Sequence, residues 1–412
     1  MFTFVNMNLY FFMDSKITTI LFPLVTALLA AVWVFPKILR ISLDKNIVDN
    51  PDARKLQRVP VPVLGGMVVV FGILAALGVS QLFVDCSSLF PVVLAMAIML
   101  FVGTVDDILD IPSVTRFLLE ILVALMIIYT CDYSLDNLHG LWGVQALSPW
   151  VSIPLTVVTV VGIINAINLI DGVDGYSSGY CMMACTIFGI FFYIVGNMPM
   201  TLLAVSCVGA LIPFFLHNVF GRSSKMFIGD GGTLLMGCVM SVFVLNSLKT
   251  TTECVEYISW GWGLVPFSLA VLCIPVFDTV RVMTMRILRK TSPFHADKTH
   301  LHHLFIELGF SHIGTTMSIL LLNILVILGW YFTYKCGAGV DVQLYVVIAL
   351  SMLVTVGLYY GLRLCGKKGW APYRFMQRVG KITHVERKGV FFWLQKIVDR
   401  GTAPTSTEER AR

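Results

Sequence analysis

The sequence predicts an all-α integral membrane protein with about eleven transmembrane helices and a polar cleft at one membrane surface. Three observations predict it. Hydrophobic residues make up 57% of the chain and charged residues only 13%, whereas soluble domains carry roughly 25% charged residues. The apolar stretches are long and show no period-2 alternation. Lipid offers the backbone no hydrogen-bond partner, so such stretches must be helices and a barrel is excluded. Finally, 26 of the 29 Lys and Arg residues lie in alternate inter-span segments.

In chain order the candidate spans cover 17–36, 63–84, 89–105, 117–131, 149–164, 178–195, 200–217, 232–248, 258–280, 313–334 and 342–362. Each approaches the roughly 20 apolar residues that a bilayer core requires. No basic n-region precedes the first span and no small-residue cleavage site follows it, so it is expected to serve as its own insertion signal. The fifth is short, with Pro149 and Pro154 at its start. The cationic segments are 37–62, 106–116, 165–177, 218–231, 281–312 and 363–412; only Lys16, Lys249 and Lys335 lie on the other side. Without the last segment the ratio is still 14 to 3. The positive-inside rule then puts the N-terminus outside and the C-terminus in the cytoplasm.

The chain divides into a polytopic membrane domain, 1–362, and a basic cytoplasmic tail, 363–412. The tail carries Trp370, Phe391, Phe392 and Trp393. It reads either as a solvated juxtamembrane tail or as a surface helix held by anionic lipid. Gly401 to Arg412 is polar and expected to be disordered. The ten cysteines form no CxxC pair or zinc-like spacing, and most sit in apolar runs as small hydrophobes. Cys86, Cys131, Cys254 and Cys336 are expected at the outer surface and Cys365 inside.

The notable polar residues all fall in the cytoplasmic set. Acidic groups beside a bilayer are costly and usually functional. Asp106-Asp107-Ile108-Leu109-Asp110 follows the third span. On a helical turn Asp106 and Asp110 lie one turn apart, and clustered carboxylates repel unless a cation or proton joins them. A polar helix end facing water is the plain alternative. Asn165 to Gly175 reads NAINLIDGVDG and holds no basic residue. Asn165 and Asn168 share a face at i, i+3; Asp171 and Asp174 continue it if the helix persists. Their oxygens are the hard ligands that Mg²⁺ selects, and Gly172 and Gly175 allow close approach of a ligand.

Phe227-Ile228-Gly229-Asp230-Gly231-Gly232-Thr233 precedes the eighth span. Here the amides of Gly231, Gly232 and Thr233 are expected to point at phosphate oxygens, with Asp230 holding a cation and Phe227 stacking on a base. His295 to His303 includes Asp297, Lys298, His300, His302 and His303. It lacks the cysteines or HExxH pattern of a zinc site, so phosphate contact fits better. Arg54 to Gly66 is basic and stiffened by Pro60 and Pro62; it binds anionic headgroups or supplies Lys55 to a substrate phosphate, and its sequence does not decide between them. Acids for a metal, amides and cations for phosphate and an aromatic for a base are the parts of metal-assisted phosphoryl transfer.

With these five motifs in order from about Lys45 to Leu308, the chain resembles the polyprenyl-phosphate N-acetylhexosamine-1-phosphate transferase family. Its DDxxD form, and Ser292-Pro293-Phe294 before His300-Leu301-His302-His303, resemble the bacterial undecaprenyl-phosphate GlcNAc-1-phosphate branch. Gln57, Tyr176 and Lys298 depart from that branch, which has His, Leu and Arg there. The resemblance implies Asp230, Asn168 and Asp171 around Mg²⁺, with Mn²⁺ as a substitute. It implies Asp174 and Phe227 at the uracil, and Lys55 and Asn165 at phosphate. Lys298 is added here as a further substrate contact. Asp106 and Asp107 would orient or deprotonate the lipid phosphate, and His300, His302 and His303 would contact the diphosphate or sugar. The implied partners are a UDP-sugar, a polyprenyl phosphate and the membrane, with no nucleic acid; a homodimer is left open. The expected setting is the bacterial inner membrane, with the cleft facing the cytoplasm and feeding a cell-wall or lipopolysaccharide glycan. UDP-MurNAc-pentapeptide or another UDP-HexNAc is the rival donor. A transporter is the rival class, but the spans carry few charges besides Glu120 and Asp278.

Overall fold

The computed structural model describes residues 16–51, 59–249, 261–292, 298–384 and 389–401. Helices account for 78% of it. α1 (Lys16–Asp44) leads into a two-stranded antiparallel ribbon, β1 (Val48–Asp49) with β2 (Val61–Pro62). There follow α2 (Gly65–Ser80), α3 (Phe90–Leu109), α4 (Ser113–Cys131), α5 (Pro149–Leu169), α6 (Tyr176–Ile194), α7 (Met198–Phe220) and α8 (Gly229–Leu248). The second half holds α9 (Leu264–Val271), α10 (Cys273–Leu288), α11 (Leu301–Glu307) and α12 (His312–Lys335). α13 (Val340–Met352) and α14 (Leu358–Lys367) are joined through a π turn, and α15 (Ala371–Ile382) and α16 (Gly389–Val398) close the chain.

Among the described residues nine helical segments have the length and apolarity of membrane spans: α1, α3 to α8, α12 and the continuous α13–α14. The chain is therefore a multi-pass all-α membrane protein. The remaining two expected spans differ from simple rods. Residues 65–80 form only the 16-residue α2, about 24 Å long against a bilayer core of about 30 Å. The chain enters it through the buried residues Val61 to Leu64, of which Val61 and Pro62 are strand. Such backbone is tolerated at membrane depth only when protein satisfies it. Here Gly65 and Gly66 N–H donate to the carbonyls of Phe227 and Ile228 at 3.0 and 2.8 Å, and Phe227 N–H donates to Pro62 O at 2.7 Å.

The expected span 258–280 is broken: α9 and α10 meet at 75°, and residues 258–260 lie outside the described set. Pro275, in the first turn of α10, has no N–H for a carbonyl of the preceding turn. The orphaned groups are satisfied from neighbouring helices. Asn323 of α12 accepts from Ile274 N–H at 3.2 Å and donates to Val271 O at 3.1 Å, while Tyr180 O–H donates to Val271 O at 2.6 Å.

α8 sits at the centre, its spanning window wholly buried. Its sequence is apolar or small on every face, as a helix without a solvent or lipid side requires. α3, α5 and α2 pack around it. Alternate helix ends gather at one end of the bundle, so the turns after α3, α5 and α7, and those before α4, α6, α8 and α12, meet there.

Candidate active site

The centre of the site is the first turn of α8. Glycines let three backbones meet there: a methyl on Gly66 would lie 2.5 Å from Gly232 N, and one on Gly103 of α3 would overlap the Asp230 carbonyl. This packing sets Asp230 against the end of α3. Asp107 accepts from Asp230 N–H at 2.9 Å and Gly231 N–H at 3.1 Å, one carboxylate oxygen each. The Gly231 amide expected at a phosphate thus belongs to Asp107, and Gly232 and Thr233 are buried. A helix N-terminus buried in protein needs such a partner for its free amides, and a carboxylate is the best one.

Asp106 accepts from Ile111 N–H at 3.0 Å and from the Arg116 guanidinium at 3.0 Å. Arg116 also stands 3.5 Å from Asp230 and 3.6 Å from the buried Glu120. Asp110 does not join them. It ends α3 in the left-handed conformation at φ 50° and is exposed.

α5 stops at Leu169, so Asp171 and Asp174 stand on a turn and do not extend the asparagine face. Asn168 donates to Asp230 at 2.8 Å and to Thr233 Oγ at 2.8 Å. The resemblance implies a phosphate contact for Asn165, but its amide donates to Glu120 and to Val161 O. Asp171 accepts from Ser177 O–H at 2.5 Å. Its carboxyl opens on the cleft, with protein packed closely around its inner side. That burial, with the charges of Asp230 and Asp174, pushes its carboxyl up to about 7.

Asp174 is held differently. Lys225 Nζ lies 2.6 Å and His312 Nδ1 2.9 Å from its Oδ2. Burial opposes its charge, but the hydrogen bond and charge of His312 and the Lys225 ammonium outweigh that and hold the carboxyl below its usual range. Lys225 Nζ is also 5.8 Å from the centre of the half-buried Phe227 ring. Asn218 ties the two loops together, accepting from Gly175 N–H at 2.6 Å and donating to Met226 O at 2.9 Å. The two residues implied at a uracil therefore share one corner, with Lys225 between them.

His302 packs on the same loop, and a methyl on Gly172 would lie 2.5 Å from its Nε2. Burial, then the neighbouring histidines, push it well below the usual imidazole range. Tyr176 meets its ring edge-on at 5.8 Å. His303 stands 4.3 Å from the His302 ring centre, and His300 stacks on it at 5.7 Å. His300 Nδ1 is 2.9 Å from Asp278, which Arg281 grips at 2.6 and 3.2 Å. Nε2 of His300 is buried with no protein partner among the described residues, as expected of an atom kept for a ligand. Lys298 is exposed, and Lys55 lies outside the described residues.

Arg116, Glu120, Lys225, Asp278, Arg281 and His312 are the residues that motif reading passed over. Glu120 and Asp278 carried a signal, as acids within spans; Lys225 and His312 carried none.

Among the described residues no three Asp, Glu, His or Cys side chains are arranged to hold a metal ion by themselves. The donor set nonetheless fits Mg²⁺. That ion takes one or two carboxylates and completes its shell with neutral oxygens, water and substrate phosphates. Asp230 and Asp171 are crowded carboxylates, partly balanced by Arg116 at 3.5 Å from Asp230, and Asn168 and Thr233, whose side chains carry neutral oxygens, stand beside Asp230.

Residues 89–248 match glycosyl transferase family 4. That stretch runs from α3 through α8 and holds the whole acidic cluster; Asp278 and the histidines lie beyond it. The chain is 25% identical over 363 residues to the undecaprenyl-phosphate alpha-N-acetylglucosaminyl 1-phosphate transferase of Salmonella typhi, covering 85% of this chain and 91% of the relative. It is 26% identical over 360 residues to the protein of that name from Escherichia coli K12, covering 85% and 92%. It is 26% identical over 349 residues to the probable undecaprenyl-phosphate N-acetylglucosaminyl 1-phosphate transferase of Bacillus subtilis, covering 84% and 92%. The acidic cluster thus lies inside the segment that matches the glycosyl transferase family 4 model, and along most of its length the chain is similar to bacterial undecaprenyl-phosphate N-acetylglucosaminyl 1-phosphate transferases.

Proposed function

We propose that this protein transfers GlcNAc 1-phosphate from UDP-GlcNAc to undecaprenyl phosphate, in a bacterial inner membrane with the cleft facing the cytoplasm. The observation that carries the reading is the convergence of Asp106, Asp107, Asn168, Asp171 and Asp230 from three segments at one bundle end. Beside it lie the Asp174–Lys225–Phe227 corner and the buried His300 Nε2. The 26 to 3 distribution of cations supports the orientation.

An oxygen of the lipid phosphate attacks the β-phosphorus of the donor in line. A new P–O bond forms, the bond from that phosphorus to the bridging oxygen breaks, and UMP leaves with the bridging oxygen. Asp230 and Asp171, with the oxygens of Asn168 and Thr233, would hold Mg²⁺ or Mn²⁺, which when bound neutralises the diphosphate and the charge growing on the leaving group. A phosphate monoester has a second pKa near about 6 and is already mostly dianionic at neutral pH. No base is required, and Asp106 and Asp107 serve to position Arg116 and the first turn of α8. His300, aimed by Asp278, donates to or accepts from the diphosphate or sugar.

Purified protein with Mg²⁺ and undecaprenyl phosphate should release UMP from UDP-GlcNAc much faster than from UDP-GalNAc, because a site that hydrogen-bonds hydroxyls rejects a displaced one. It should be inert with UDP-MurNAc-pentapeptide. Equal or greater turnover of the pentapeptide donor would overturn the assigned sugar. No UMP from any donor would overturn the transferase reading.

A further inference from the structure

The C-terminal helices carry an outward surface that the proposed reaction does not use, and an inward surface that grips the site loops. α15 begins four residues after the last spanning helix ends at Lys367. Four extended residues reach at most about 14 Å, so α15 must lie at the membrane surface. Its inner face packs Tyr373, Met376 and Val379. Its outer face presents Phe375, 63% exposed, and Ile382, 76% exposed, beside Arg374, Arg378 and Lys381. α16 is held to the end of the spanning α7 by the Phe391–Phe220 ring pair at 4.9 Å. Its outer face carries Val390, Trp393 and Ile397 at i, i+3, i+7, with Lys396 and Arg400 beside them. Trp393 is 60% exposed. Helices with this pattern, large apolar groups flanked by cations, lie in the headgroup region of anionic leaflets.

The inward contacts reach both halves of the Asp174 corner. Ser311 N–H donates to Thr383 Oγ at 2.9 Å, and Ser311 O–H to Thr383 O at 2.8 Å. Arg363 forms a two-pronged pair with Glu307. These fix the turn before His312, the partner of Asp174. On the other side Asp399 accepts from Arg222 N–H, Ser224 N–H and Ser224 O–H at 3.1, 3.1 and 2.8 Å. That fixes the turn before Lys225, the other partner of Asp174.

We propose that α15 and α16 are a clasp seated on anionic phospholipid, through which lipid charge sets how firmly the loops bearing His312 and Lys225 are held. The occupant is a lipid surface because both helices are tethered at ends of spanning helices and cations flank both apolar faces. The seating stands on the tail alone; the coupling rests on the proposed nucleotide role of Asp174.

The test uses the full chain with a fluorescent amino acid in place of Trp393, in brominated phosphatidylcholine vesicles with or without phosphatidylglycerol. Strong quenching with phosphatidylglycerol and weaker quenching without it are expected. Lys396→Gln and Arg400→Gln should each lower the inserted-to-free ratio about fivefold. Quenching that is absent, or equal in both vesicles, overturns the seating. Self-quenching that grows with protein density without lipid quenching means a second copy covers the face, and overturns it too. UDP binding, measured without acceptor lipid, should weaken several-fold in Asp399→Asn and in vesicles lacking phosphatidylglycerol. Unchanged affinity overturns the coupling. Failure to bind UDP in any vesicle would refute the nucleotide reading, and the coupling with it, while the quenching still decides the seating.

Discussion

Arg116 faces three carboxylates at once, those of Asp106, Asp230 and Glu120. Glu120 is fully buried, and removing one partner of a buried ion pair costs about 3–5 kcal/mol because the other charge is left uncompensated. Arg116→Ala should therefore lower the melting temperature as well as turnover, and adding Glu120→Gln should restore part of the stability but not the turnover. Asp230→Asn should behave differently. The amide keeps the shape and the bond with Asn168, so detergent-solubilised yield and melting should hold while turnover falls about 10²–10³-fold. Wild-type turnover in that variant would remove Asp230 from the metal site. Asp171 supplies a pH test. Its carboxyl takes a proton at about 7, and the neutral acid is a poor ligand, so an ion must displace that proton. Mg²⁺ affinity, titrated without nucleotide, should weaken as pH falls through about 7. In Asp171→Asn that pH dependence should flatten, at a lower affinity throughout.

Helix-level placement depends on small residues where backbones cross. Gly103 and Gly66 bring α3 and α2 onto the first turn of α8, where a methyl has no room. Overpacking of this kind costs about 1–3 kcal/mol and here displaces Asp230 directly. Gly103→Ala should lose turnover out of proportion to its loss of thermal stability. Gly78→Ala, on the exposed side of α2 with open space around it, should leave both unchanged or raise stability slightly. The break between α9 and α10 makes the converse case. Asn323 satisfies backbone groups that Pro275 and the bend leave free, and Asp278 lies one turn beyond.

At the scale of the molecule, α13–α14 runs 28 residues from Val340 to Lys367, about 42 Å. Cys336 and Cys365 flank or end this span and must face opposite surfaces. A membrane-impermeant thiol reagent on intact cells should label the exposed Cys336 and spare Cys365, each tested as the sole accessible cysteine. Labelling of Cys365 alone would invert the orientation, leaving the geometry of the cluster intact.

The sequence by itself determined the membrane class, the helical state of nine spans and the gathering of the acids at one end of the bundle. Those follow from local quantities: apolar length, the absence of alternation and the side on which Lys and Arg fall. The acidic motifs were legible too, because a carboxylate beside lipid has few uses other than function. What each acid touches was decided only by tertiary structure. Asp107 and Asp230 are 123 positions apart in the chain, and nothing near either tells that one caps the helix of the other. Arg116 and Lys225 looked like ordinary loop cations until packing gave them Asp106 and Asp174 as partners. The end of α5 at Leu169, which turns Asp171 and Asp174 off the asparagine face, the break at Pro275 and the docking of the tail likewise depend on distant groups that satisfy backbone or bury side chains. Burial and pairing belong to the fold, whereas hydropathy and charge are already present in the chain.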